Sequence, residues 1–294
     1  MSADQQPRPP PASGAESRRR AVLAAELVRS CPPELGREIA ITGSVARGIA
    51  DQDSDIELNF WAESLPSRAE RERWLRSVGA ERCLPDMPDA DGTVWTTLQL
   101  QGFWIEAGWR TIAAQRELLR GILAGKVLNH DRLVVADAIL HAVPLRSGSS
   151  LEGWQRQLSH YPEAVRERLL ADNTAAWQMP HAVGGRWTLL RRRDEPALTQ
   201  RLLWDFANIW SLLFALNRRW EPDRKWLYQN VDELTVVPDR LVERVDAIFG
   251  AQPPKQRVVI CFELILDTLA LLPPSPGIQH AADTVRASLA AHSP

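Results

Sequence analysis

No apolar run in this sequence reaches the roughly 18 residues that a membrane-crossing helix needs, so a spanning protein is not expected. The first stretch, Met1 to Ser13, is polar and proline-rich and lacks the apolar segment of a signal peptide. Cysteine is scarce. Cys31, Cys83 and Cys261 are far apart, odd in number and without metal-site spacing, which reads as reduced, mostly buried thiols in a cytoplasmic protein. There is no surplus of positive charge either. With 35 Lys and Arg against 37 Asp and Glu, the formal net charge is −2, which argues against a general nucleic-acid binder. The basic clusters Arg18 to Arg20 and Arg191 to Arg193 read as solvated helix ends. The 6 histidines show no ligand spacing, and no Ser-His-Asp grouping emerges.

What is present divides at the middle. The 294 residues suit two domains, with ordinary apolar and charged fractions for a globular chain. Residues 1–16 are rich in Pro, Gln, Ser and Ala and read as a disordered tail. A helix is expected over Arg18 to Ser30, ended by Pro32-Pro33, then strands over Glu38 to Thr42 and Ser54 to Trp61. Ser67 to Val78 reads as an amphipathic helix opened by a Ser67/Glu70 capping box. Pro85 to Gly92 reads as a loop. Thr93 to Leu100 and Phe103 to Trp109 form a hairpin around Gln101-Gly102, followed by a helix over Ala113 to Leu123 and a short strand within Ala138 to Leu145. The Gly-Ser-rich stretch Pro144 to Ser150 marks the expected domain junction, giving 17–146 and 147–294. Beyond it, helical periodicity broken by prolines predicts a bundle, with Ala197 to Leu216 apolar nearly all round and therefore central. The fold class is α+β, a mixed-sheet domain followed by an all-α one.

The stretch richest in chemical groups is Gly43-Ser44-Val45-Ala46-Arg47-Gly48, with Ser54-Asp55-Ile56-Glu57-Leu58 shortly after. Alternate strand residues share a face, so Asp55 and Glu57 hold two carboxylates about 6–7 Å apart at Cβ. That spacing suits acids converging on one or two divalent cations, roughly 3.5–4 Å apart in two-metal sites. Glu106 sits among Trp104, Ile105, Ala107 and Trp109, where a carboxylate must be paired, metal-bound or on an edge. Mg²⁺ is the hard cation that relieves repulsion among three such acids. Gly43 lets backbone approach a ligand, Ser44 offers a hydroxyl and an amide, and Arg47 adds a permanent charge able to reach phosphate oxygens. Trp104 and Trp109 flank Glu106; either could stack on a ring, but core packing is the preferred reading of both.

This combination resembles the signature of the polymerase-β-type nucleotidyltransferases, and the Ser-Asp-Ile-Glu strand is similar to that of the antibiotic (kanamycin-type) nucleotidyltransferases. The resemblance covers residues about 38 to 109. Glu57 stands where aspartate is commoner in the superfamily, and Ala46 where some members carry glycine. Phe214 to Pro222 with Lys225-Trp226-Leu227 resembles a run in an uncharacterised bacterial group of nucleotidyltransferase-like proteins with a helical C-terminal domain. The resemblance implies Mg²⁺ at Asp55, Glu57 and Glu106, in a two-metal site. It implies ATP phosphates at Gly43, Ser44 and Arg47, with Ser54 also nucleotide-binding, and Lys225 and Arg218 as nucleotide-binding cations; solvated helix-end charge is the other reading of these two. The implied reaction moves AMP from ATP to a hydroxyl of a small acceptor, with pyrophosphate released, as in aminoglycoside resistance. Glu106 is either the base or a metal ligand, with Glu167 and Asp172 as weaker alternatives for the base. A homodimer is open, because the kanamycin-type enzymes complete their site across one. Two other readings stand beside this: toxin-type nucleotidylation of a protein or tRNA, and a non-catalytic nucleotide sensor.

Overall fold

The computed structural model describes residues 14–89 and 92–292. Most of the tail expected over 1–16 lies outside these residues, and the chain is helical from Ala15 onward. Two compact units are formed, one from Met1–Leu123 with Val135–His160, the other from Ala124–Val134 with Tyr161–Pro294. The first holds a mixed sheet with helices and the second is helical, an α+β architecture. The expected junction at 146/147 falls inside the first unit.

In the first unit, α1 (Ala15–Arg29) precedes β1 (Glu38–Thr42), the one-turn α2 (Gly43–Ala46) and β2 (Ile56–Ala62). Next come α3 (Arg68–Ser77), the short strands β3 (Arg82–Cys83) and β4 (Met87–Pro88), β5 (Val94–Leu100) and β6 (Phe103–Thr111). They are followed by α4 (Ile112–Leu123), α5 (His130–Leu140, whose residues up to Val134 belong to the second unit), β7 (Val143–Arg146) and α6 (Ser149–Leu158). The sheet order is β3-β5-β6-β2-β1-β7, with β4 paired to β5. Every pairing is antiparallel except β2 with β6.

Strand alternation decides what each face does. Ile39, Ile41, Ile56, Leu58, Phe60, Leu98, Leu100, Ile105, Ala107 and Trp109 pack with Leu23, Leu27 and Val28 of α1 and Trp74 and Leu75 of α3 in one core. The alternate residues Glu57, Asn59, Thr97 and Glu106 therefore share the opposite face. Part of that face is covered. Glu38 accepts the Ser150 and Leu151 amides at 2.9 and 2.7 Å, holding the start of α6, and the Trp61 indole donates to Gln115 Oε1 of α4 at 3.1 Å.

Several expectations are corrected. A strand forms inside the expected 85–92 loop, because Met87 and Pro88 pair with Trp95 and Val94. The short strand expected within Ala138 to Leu145 does form, as β7, which starts at Val143 once α5 has ended at Leu140. Arg20 does not sit on a solvated helix end. It is 1% exposed and donates to the Ser54 and Gln52 carbonyls at 2.8 and 2.9 Å, tying the loop before β2 to α1.

The second unit contains α7 (Glu163–Ala175), α8 (Pro180–Arg192), α9 (Glu195–Leu216), α10 (Leu227–Asp232), α11 (Leu241–Phe249), α12 (Pro254–Leu271) and α13 (Pro276–Ala290). Helix α9 buries Leu198, Leu202, Ile209, Trp210, Leu212, Leu213 and Phe214. Its apolar character is not matched by burial all round, however. Leu203 and Trp204 are 49% and 52% exposed, and the Arg201 guanidinium lies 4.7 Å from the Trp204 ring centre. No helix among the described residues is long and apolar enough to cross a membrane.

Candidate functional site

Gly43 follows β1 and opens α2 at φ +64°, a left-handed conformation that disfavours side chains. Space makes the same demand, since a Cβ there would fall 2.5 Å from Glu57 Oε1. The Glu57 carboxylate therefore lies against the backbone of the Gly43 turn. Ser44 is half-buried in the same turn and accepts the Ile49 amide through its carbonyl at 3.0 Å.

The parallel register pairs Glu57 with Glu106 directly, and the antiparallel register pairs Thr42 with Glu57 and Thr97 with Glu106. Neighbouring strands run about 4.8 Å apart, so two half-buried carboxylates stand side by side beside the turn. Like charges so placed are destabilising unless a cation or proton separates them. Asp55 comes just before β2, whose first residue is Ile56, two positions ahead of Glu57. Among the described residues no group of three or more His, Cys, Asp or Glu is placed to hold a metal. The direct Glu57–Glu106 pair supplies two oxygen donors of the kind Mg²⁺ uses, one or two carboxylates being its usual protein ligands beside substrate phosphates.

Other expected site residues are engaged elsewhere. Arg47 Nη1 donates to Asp137 Oδ1 and Oδ2 at 3.1 and 2.9 Å and lies 3.3 Å from His141 Nδ1. Its guanidinium thus ties the turn to α5. The Ser54 hydroxyl donates to Asp51 Oδ1 at 2.9 Å and accepts the Asp51 amide at 3.0 Å, closing the loop that delivers Asp55. In the second unit, Arg218 is 54% exposed and pairs with Glu163 at 2.9 Å. Lys225 is exposed in the turn after buried Glu221, which accepts Ser211 Oγ at 2.6 Å and contacts His130 and Arg224 at 2.7 and 2.8 Å. Glu167 and Asp172 are exposed on α7, Asp172 paired with Arg168 at 2.6 Å.

The tryptophans divide. Trp109 is wholly buried and stacks on Phe60 at 4.1 Å, whereas Trp104 is 41% exposed, so the core reading holds for the first and is corrected for the second. Alternation explains the difference, because 104 shares the face of Glu106 and 109 that of Ile105. Residues not singled out from the sequence also belong here. Asn59 follows Glu57 on the same face, and half-buried Trp95 lays its ring over Gly108, where a Cβ would fall 2.9 Å from the indole. The alternation that places Glu57 would have placed Asn59. For Asp137, 90 residues from Arg47, no sequence signal exists.

His141 provides a pH test. Burial, the largest single influence, opposes its charge, but hydrogen bonds to Asp137 and that residue's charge outweigh it and raise the imidazole pKa above 6.5. Its stabilising contribution is therefore full below about 6.5, the unfolded value, and lost as pH rises through the raised folded value. The expected result is that His141→Gln lowers the melting temperature relative to wild type at pH 6 and has less effect at pH 8. An equal effect at both would contradict it.

Residues 135–227 match a domain of unknown function, DUF4037. The matched stretch runs from within α5 to the first residue of α10 and includes neither the Gly43 turn nor the acidic strands. No curated protein matches the chain. Among solved structures, it is similar to a nucleotidyltransferase-like protein from Exiguobacterium sibiricum 255-15, at 12% identity and a TM-score of 0.39, over 94% of this chain and 77% of that one.

Proposed function

We propose that this protein is a Mg²⁺-dependent nucleotidyltransferase that moves AMP from ATP to a hydroxyl of a small, aminoglycoside-like acceptor. The observation that carries the reading is the direct register of Glu57 with Glu106 beside the side-chain-free turn at Gly43. Asp55 and Glu57 would hold Mg²⁺ together with the substrate phosphates, whose charge it neutralises when bound, and Glu106 beside Glu57 is kept for the acceptor's proton. Gly43 and Ser44 are the proposed source of backbone amides for the phosphates. Lys225 and Arg218 are the cations proposed for the nucleotide from the helical unit. Arg47 and Ser54 serve it indirectly, by holding the turn and the loop in place.

In the reaction the acceptor oxygen bonds to the α-phosphorus while the bond from that phosphorus to the bridging oxygen breaks, and pyrophosphate leaves. The acceptor hydroxyl, with a pKa far above 7, gives its proton to the Glu106 carboxylate. The contributions of this chain are placement and charge complementarity, which account for most of the catalysis in phosphoryl chemistry.

A screen of hydroxyl acceptors with α-labelled ATP and Mg²⁺ tests the reading. It is expected to give Mg²⁺-dependent pyrophosphate release with label on a small molecule. Label on protein or RNA would move the acceptor to a macromolecule, and Mg²⁺–ATP binding without turnover on any acceptor would make the protein a sensor.

A further inference from the structure

We infer that Asn59 and Thr42 are positioning residues that fix the Glu57 carboxylate in the orientation needed to hold a divalent cation. The inference rests on the nucleotidyltransferase reading of the acidic face. Asn59 Nδ2 donates to Thr42 Oγ1 at 2.8 Å, and Thr42 Oγ1 donates to Glu57 Oε2 at 3.4 Å. The order of donors matters. A threonine hydroxyl has one proton, and the Asn59 amide occupies its lone-pair side, so that proton is left to point at the carboxylate. Without Asn59 the hydroxyl is free to rotate away.

The chain is held at both ends. Thr42 is 1% exposed, as the last residue of β1 before the turn. The far edge of the Glu57 carboxylate rests on Gly43, where any Cβ would fall 2.5 Å from Oε1. At the other end the Asn59 amide oxygen lies 3.1 Å from where a Gly108 Cβ would stand, with the Trp95 ring 2.9 Å from that same point. Gly108 thus lets Asn59 and Trp95 lie down on β6, and the register Thr42–Glu57 and Asn59–Gly108 stacks all of them on one face. A row of contacts runs Trp95, Gly108, Asn59, Thr42, Glu57, Gly43 across four strands. Groups that orient a metal-binding carboxylate by hydrogen bonds typically change metal affinity about 10–100-fold when removed.

The test uses Mn²⁺ as probe on the full chain, its dissociation constant read by water-proton relaxation. Thr42→Val and Asn59→Leu are each expected to weaken Mn²⁺ binding about 10–100-fold, and Thr42→Ser to restore it. Because Asn59 acts through Thr42, the double variant is expected to be no worse than Thr42→Val alone, a strongly non-additive cycle. Unchanged Mn²⁺ affinity in Thr42→Val, or additive losses in the double variant, would overturn the inference. A second readout needs no metal: the Asn59 side-chain amide resonances are expected to shift in Thr42→Val. If they shift but wild type binds no Mn²⁺, the metal reading of the face has failed and the inference with it. If wild type binds Mn²⁺ and the amide does not respond, the hydrogen-bonded chain alone has failed.

Discussion

Glu57→Gln is expected to reduce Mg²⁺-dependent pyrophosphate release by roughly a thousandfold, about 4 kcal/mol of transition-state stabilisation, a loss far larger than any change in fold stability. The substitution keeps size and shape, so the amide still fills the space over Gly43 and still meets Thr42. What it removes is one negative charge directly beside Glu106 in the parallel register. Because shape and the Thr42 contact are kept, the melting temperature should change little. A carboxylate kept for structure would behave in the opposite way, with stability falling and turnover, where measurable, following it. Thermal melts alongside a pyrophosphate assay separate the two.

The largest stability effect is expected in the helical unit, at Arg186. Its side chain is 2% exposed and that of its partner Asp205 is 1% exposed. Arg186 Nε donates to Asp205 Oδ2 at 2.9 Å, Nη2 donates to Oδ1, and the buried Trp177 indole donates to Oδ1 at 2.9 Å. Arg186→Met would leave the Asp205 charge buried with the indole but no cation. Removing one partner of such a pair costs roughly 3–5 kcal/mol. At about 2–4 °C per kcal/mol for a unit of this size, the helical unit should melt about 10 °C lower. The double variant Arg186→Met, Asp205→Leu should recover much of this, because no buried charge is then left alone. A calorimetric scan of the three proteins would show it.

How much of this could be read in advance depended on how far apart the partners are in sequence. Local signals were legible. Ser67 and Glu70 make both bonds of the capping box, and Gln101-Gly102 takes positive φ at both positions, as a two-residue hairpin requires. The strand alternation that puts Ile56 and Leu58 in the core put Glu57 on the other face. Which strand would lie beside β2 was not legible from periodicity, and the Glu57–Glu106 pairing depends on it. Arg20 and Arg47 show the limit most plainly. Each looked like a free cation in sequence, and each is committed to a partner dozens of residues away, Arg20 to carbonyls of the 52–54 loop and Arg47 to Asp137. A run of arginines carries no mark of which member turns inward.

The measurement that tests the account most directly is pyrophosphate release from ATP and Mg²⁺ across a hydroxyl-acceptor panel, run in parallel on wild type and Asp55→Ala. Release that requires both the metal and an acceptor, and that disappears in Asp55→Ala, is the expected result. Turnover undiminished in Asp55→Ala would contradict the assignment of the acidic face beside Gly43 as the site of nucleotidyl transfer.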